Sequence, residues 1–149
     1  MLNLENQILD ISETKSLALK LSKVLKIGDL LMLTGDLGAG KSTFSRFIIN
    51  NLHILKKLPK PISINSPTFP ILLTYDLESY EIYHYDLYRV KNIKELEEID
   101  FFENIKSSIT LVEWPELLIN VPFIKKYYLI NFDLHTETQR VINIKYFEK

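Results

Sequence analysis

The chain has 149 residues, 46% hydrophobic and 25% charged, with a formal net charge of −1. That length suits one domain, 1–149, and the near-average composition excludes a disordered or collagen-like chain. It contains no cysteine, which excludes a disulfide framework, thiolate zinc, iron–sulfur ligation and a thiol nucleophile, and fits the cytoplasm. No apolar run approaches the ~18 residues of a membrane span, and the N-terminus lacks the basic-then-apolar pattern of a signal peptide, so no membrane association is expected. The balanced charge argues against a large nucleic-acid footprint, and Lys56, Lys57 and Lys60 read as a solvated loop.

In chain order, Ser12 and Glu13 read as a helix start. Leu17, Leu21, Val24 and Leu25 then recur at helical spacing to about Lys26, where Gly28-Asp29 ends the helix. Leu30 to Thr34 is a continuous apolar run, the pattern of a strand buried on both faces. A glycine-rich stretch, Gly35 to Gly40, follows, and from Lys41 Phe44, Phe47, Ile48 and Leu52 line one side of a second helix. Pro59 and Pro61 break the chain. Thr68 to Tyr75 and Glu81 to Tyr88 read as strands joined by a turn over Asp76 to Ser79. Asn92 caps a helix to about Glu98. Ile109 to Glu113 is another buried-type strand. Tyr127 to Asp133 and Arg140 to Phe147 form a hairpin turning near Thr136. The class is α/β, with helices flanking the sheet and antiparallel hairpins added.

Gly35-Asp36-Leu37-Gly38-Ala39-Gly40-Lys41-Ser42 matches G-x-x-x-x-G-K-[ST] in full. Chance would produce that match in roughly one chain of this composition per thousand. The glycines let backbone wrap a phosphate, and successive N–H groups at a helix start form an anion nest. Lys41 is expected on the β- and γ-phosphates and Ser42 on Mg²⁺, with Thr43 near the α-phosphate.

A phosphate loop does not by itself separate ATPases, kinases and passive nucleotide binders. Ser66-Pro67-Thr68-Phe69 reads as an extended loop whose threonine could bind Mg²⁺ or sense the γ-phosphate, although, taken alone, a turn-forming Ser-Pro-Thr explains it better. In His84-Tyr85-Asp86-Leu87-Tyr88-Arg89, His84, Asp86 and Tyr88 share a strand face. Asp86 suits a Mg²⁺ carboxylate or an activator of the attacking water; a solvated sheet face accounts for these residues equally well. Glu113, in Glu113-Trp114-Pro115-Glu116, closes a buried strand where open α/β sheets bind ligands, and is placed for Mg²⁺ or its water. Trp114 alone reads as core. His53 and His135 read as surface residues. No N-K-x-D guanine reader occurs, so adenine is the expected base. The arginines, Arg46, Arg89 and Arg140, are scattered with no arginine-bearing lid, which counts against a kinase.

GDLGAGKST, SPTF, HYDLYR followed by Lys94-Glu95-Leu96-Glu97, and LVEWPE stand in an order and spacing that resemble the TsaE family (older name YjeE), bacterial ATPases of tRNA threonylcarbamoyladenosine synthesis. The resemblance runs from about Ser12 to Glu116. It implies a single P-loop domain with a mostly parallel central sheet, binding ATP and Mg²⁺ and hydrolysing ATP slowly. It also implies partnership with TsaB and with TsaD, which carries out the transfer; tRNA is met only through that complex. Residue by residue it implies ATP on Leu37, Gly38, Ala39, Gly40, Lys41 and Ser42, Mg²⁺ on Ser42 and Glu113, a switch-like role for Thr68, and the catalytic or Walker B position for Asp86. Ser42 stands where threonine is more usual, and either hydroxyl can ligate Mg²⁺. Residues 52–64 carry extra lysines and lack the family's usual glycine. The alternatives are a small-molecule kinase of the P-loop class and a passive nucleotide-binding scaffold.

Overall fold

The computed structural model describes residues 1–67 and 70–149. In chain order the elements are β1 (Leu4–Leu9), α1 (Ile11–Ser22), β2 (Leu30–Thr34), α2 (Lys41–Leu55), β3 (Leu72–Asp76), β4 (Glu81–Asp86), α3 (Ile93–Glu98), α4 (Phe101–Ser107), β5 (Ser108–Glu113), β6 (Lys126–Leu134) and β7 (Arg140–Glu148). One seven-stranded sheet runs β1-β7-β6-β2-β5-β4-β3. Its central four strands are parallel, because β2 pairs in parallel with both β6 and β5, and β5 with β4. The flanks are antiparallel: β1–β7–β6 on one side and the β3–β4 hairpin on the other.

The apolar run of β2 is buried on both faces, as its sequence predicts. Leu31 and Leu33 pack with α1 and α2, through Ala18, Leu21, Phe44 and Ile48. Leu30 and Met32 face the other layer, built on Leu96, Phe101, Leu118 and Val121. Helices on both faces oblige the central strands to be apolar throughout. Among the described residues no helix is long and apolar enough to cross a membrane.

Several boundaries depart from the sequence reading. Helix α1 is capped by Asp10, not Ser12: the Asp10 carboxylate accepts the Glu13 N–H at 2.8 Å and Glu13 accepts the Asp10 N–H at 3.2 Å. It ends at Ser22, short of Lys26, in a turn where the Asp29 carboxylate accepts the Lys26 N–H. Strand β1 and helix α4 have no counterpart in the sequence reading. β1 is an edge strand with only its end residues partly covered and a register shift between Leu4 and Gln7, so it carries no alternating pattern. Asp100, which opens α4, adopts a left-handed conformation and makes no side-chain cap. His53, expected at the surface, is buried and bonds the Ile49 carbonyl through Nδ1 at 2.7 Å, one turn back on α2. The strand expected from Thr68 begins at Leu72; Thr68 itself lies outside the described residues.

Candidate functional site

Three parallel strands bring their C-terminal ends to one edge of the sheet, where Thr34, Asp86 and Glu113 close β2, β4 and β5. Asp86 and Glu113 are direct neighbours in register. The loop 35–40 leaves β2 at this edge and feeds α2. Its backbone is achievable only with glycine at Gly35, where φ is 142° and a Cβ would stand 2.5 Å from the Phe132 carbonyl oxygen. Gly40 opens α2 at φ 116° with no side-chain cap, so the first amides of the helix keep their donors for a ligand.

Behind the loop lies a cavity of about 500 Å³, walled by Gly38, Lys41, Ser42, Asp86, Glu113 and Trp114 among others. The volume is in the range of small-ligand sites, about 300–1,000 Å³. Leu37, Gly40 and Thr43 also border it. Ala39 does not; its side chain is buried and borders a smaller cavity of about 270 Å³ on the loop's other side, which shares Gly38, Gly40 and Thr43.

Glu113 organises the polar end of the cleft. Ser42 Oγ donates to Glu113 Oε1 at 2.6 Å, and His84 Nε2 bonds Glu113 Oε2 at 2.6 Å. Ser66 Oγ stands 3.4 Å from Ser42 Oγ. Burial pushes the Glu113 carboxyl up, but His84, Ser42 and Lys41 together outweigh it and hold the group below the ordinary carboxylate range. Asp86 moves the other way. Burial raises its pKa, the Glu113 charge adds to that, and the Tyr88 N–H, bonded at 2.9 Å, with His84 and Lys41 offsets only part.

Lys41 is folded back onto the loop, donating to the carbonyls of Gly35 and, at 3.0 Å, Asp36. Its Nζ lies 4.0 Å from the centre of the Trp114 ring. Burial lowers its pKa against the pull of Glu113, Glu116, Asp36 and Asp86. Trp114 is therefore a wall of the cleft, not core as its residue type alone suggests. Its backbone takes φ 58° directly after Glu113, which turns the ring toward Lys41 and against Tyr88, with ring centres 4.9 Å apart. Backbone strain of this kind gathers at functional sites.

The cleft thus assembles Lys41, Ser42, Thr43, Asp86 and Glu113 from the sequence-derived set. Sequence reasoning missed the arginines. Arg46 and Arg89 border the cleft, and Arg140, which lines the smaller cavity, donates to the Ala39 carbonyl at 3.1 Å. Residues far apart in the chain are gathered by the fold, and no spacing signals it. Among the described residues no three acidic or histidine side chains form a metal cluster. Ser42, Ser66, Asp86 and Glu113 nevertheless offer hard oxygen donors. That set fits a Mg²⁺ ion that takes one or two protein ligands and completes its shell with phosphate oxygens and water.

A glycine loop between a central parallel strand and an uncapped helix, with a carboxylate closing the neighbouring strand, defines a P-loop nucleoside-triphosphatase fold. The crystal structure of Bacillus subtilis YdiB has that fold: it matches with a TM-score of 0.67 over 100% of this chain and 89% of its own, at 24% identity. The family model for threonylcarbamoyl adenosine biosynthesis protein TsaE matches residues 8–142. A tRNA threonylcarbamoyladenosine biosynthesis protein TsaE from Rickettsia felis is 39% identical over 147 residues, spanning 97% of this chain and 78% of that protein. Its namesake from Bacillus subtilis is 37% identical over 107 residues, 71% of this chain and 63% of that protein. The chain belongs to the TsaE family.

Proposed function

We propose that this chain is a single-domain, Mg²⁺-dependent ATPase of low intrinsic rate that serves tRNA threonylcarbamoyladenosine formation by acting on the TsaB–TsaD transferase between turnovers. The observation that carries the reading is the Ser42–Glu113 pair beside Lys41 and Asp86 at the mouth of an uncapped helix. The phosphates would lie on the amides from Leu37 to Thr43, where Lys41 exchanges its loop carbonyls for phosphate oxygens. The apolar walls of the smaller cavity, Leu9, Ile11, Phe132 and Ile142, suit a planar base. Mg²⁺, when bound, would neutralise the developing phosphate charge, held by Ser42 and Glu113 with Asp86 near. Asp86, its basicity raised by burial, is the group placed to orient or deprotonate the attacking water. Thr68 is retained in the switch-like role on family likeness. The protein is proposed to work in the cytoplasm and to meet tRNA only through its partners.

One observation favours a second reading. Arg46 and Arg89 both border the cleft, and a small-molecule kinase uses guanidinium groups to clamp a transferring phosphate. Phosphate release measured alone, with the TsaB–TsaD complex, and with small acceptor molecules separates the two. Stimulation by the complex supports the ATPase reading, and release or transfer that depends on a small acceptor replaces it with the kinase.

A further inference from the structure

His84 is the most buried of the site's titratable side chains, with about 1% of its side chain exposed. It stands on β4 two residues before Asp86, on the face that also carries Ile82 and that α2 covers. Its direct neighbour across the parallel ladder is Leu111, an apolar residue. Glu113 lies one pleat further along β5, opposite Asp86, and reaches back diagonally to His84 Nε2 at 2.6 Å. An ionised carboxylate only accepts, so Nε2 carries the hydrogen. Among the described residues Nδ1 has no hydrogen-bond partner.

That arrangement is a poor way to stabilise a core. A leucine or phenylalanine would fill the same apolar position without stranding a ring nitrogen, and a buried polar atom left unpaired is a cost. What the imidazole supplies is direction. It occupies Oε2, so Oε1 is the oxygen left toward Ser42. It also restrains Glu113 from swinging toward the Lys41 ammonium, whose charge acts on the same carboxylate. Taking Ser42 and Glu113 as the Mg²⁺ end of the site, as proposed above, we infer that His84 is a positioning residue: it presets the Glu113 carboxylate so that Oε1 meets the cation beside Ser42. It touches neither nucleotide nor metal. Partners that orient a metal ligand in this way typically change metal affinity by about 10–100-fold when removed.

The experiment is a calorimetric titration of ATP into the full chain, once with EDTA and once with saturating Mg²⁺, giving the affinity gained from the metal, together with the melting temperature. Three proteins are compared: wild type, His84→Leu, which fills the space without an N–H, and His84→Gln, whose amide nitrogen stands near the place of Nε2. The leucine variant should lose about tenfold or more of the Mg²⁺ gain, keep its affinity in EDTA, and be largely rescued by glutamine. In a Glu113→Gln background, His84→Leu should cost no further Mg²⁺ gain, since the two act as one unit. An undiminished Mg²⁺ gain in His84→Leu, whatever its melting temperature, overturns the inference. So does a glutamine variant that folds, keeps its EDTA affinity and loses as much as leucine. If His84→Leu does not fold, His84→Asn, too short to reach Glu113, replaces it in the same comparison. A wild-type protein that binds ATP in EDTA and gains nothing from Mg²⁺ overturns the reading of Ser42 and Glu113 themselves, and the inference with it. A wild-type gain with an equal gain in the variants overturns the inference alone.

Discussion

Helices α1 and α3 begin in one way and α2 in another, and the two do opposite things with the same backbone groups. At α1 and α3 the sequence closes the end: Asp10 with Glu13, and Asn92 with Glu95, form capping boxes that satisfy the first amides within the chain. At α2 the corresponding place is Gly40, which has no side chain to offer and takes a left-handed φ of 116°. The chain leaves those donors open and lines the cleft beside them with Lys41, the hydroxyls of Ser42, Thr43 and Ser66, and the carboxylates of Asp86 and Glu113. A closed end contributes to stability and little else. An open end holds polar groups in reserve for an anion, and part of its environment works against the fold.

The largest effect should come from emptying the open end. Lys41→Ala removes the ammonium that donates to the loop carbonyls and that is proposed to take the phosphates. Charge-assisted hydrogen bonds are worth about 1.5–3 kcal/mol each, so ATP affinity should fall roughly 10- to 100-fold or more and turnover with it. Burial already lowers the Lys41 pKa, which means that its charge is a cost to the folded chain, so the melting temperature should hold. Titration of the folded variant with ATP checks both halves; wild-type affinity would remove Lys41 from the site.

The two carboxylates should respond in opposite directions, and this sharpens the contrast inside the open end. Glu113 is held below its ordinary pKa of 4.5. Its charge therefore contributes stability that is fully present above that value and is lost as pH falls through the lowered one. Glu113→Gln should cost about 1–2 kcal/mol at neutral pH, and the difference from wild type should shrink toward pH 4 and below. Turnover in Mg²⁺ should also fall. Asp86 is raised above its ordinary 3.8, so its charge costs stability at neutral pH and the cost is relieved as pH falls through the raised value. Asp86→Asn keeps the acceptor for the Tyr88 N–H. It should melt at or slightly above the wild-type temperature while hydrolysing ATP far more slowly at unchanged nucleotide affinity. Melting curves across pH with turnover at saturating Mg²⁺ and ATP test the pair; a destabilised Asp86→Asn with full activity would make Asp86 structural.

How much of this contrast is visible in the chain follows from where the signal is local. β2, the glycine loop and the start of α2 stand where the sequence places them, because a buried strand, tight backbone and an uncapped helix each leave a mark on adjacent residues. The Asn92 cap, although its return partner Glu95 emerges only in the structure, is equally local and was legible. β1 was not, since an exposed edge strand with a register shift has no alternation to read. Nor was the buried state of His53, which depends on a carbonyl one turn back and on Tyr75 across the molecule. In the site, Lys41, Ser42, Asp86 and Glu113 are legible as residue types in a motif. That Glu113 turns back to His84, and that Arg46 and Arg89 border the cleft while Arg140 bonds the loop, are products of strand register and fold, which no single stretch of chain encodes.

The smallest effect should come from the closed ends, and it is the control that gives the comparison its meaning. Asn92 accepts the Glu95 N–H at 3.2 Å, and Glu95 returns the bond to the Asn92 N–H at 3.4 Å and to Lys91 N–H at 2.7 Å. Asn92→Ala strands one of these donors and unlocks the entry to α3, a loss of about 1 kcal/mol by the usual worth of such caps. For a chain of this size that is a fall of about 2–4 °C in melting temperature. ATP affinity and turnover should not move, because none of the described residues lining the two cavities beside the loop belongs to α3. The two readouts then separate: Lys41→Ala loses ligand and keeps stability, while Asn92→Ala loses stability and keeps ligand. If Asn92→Ala instead weakened ATP binding as much as it lowered the melting temperature, the segment from Tyr88 to Asn92 would be coupling the cap to the cleft through Arg89, and the two helix ends would no longer be independent designs.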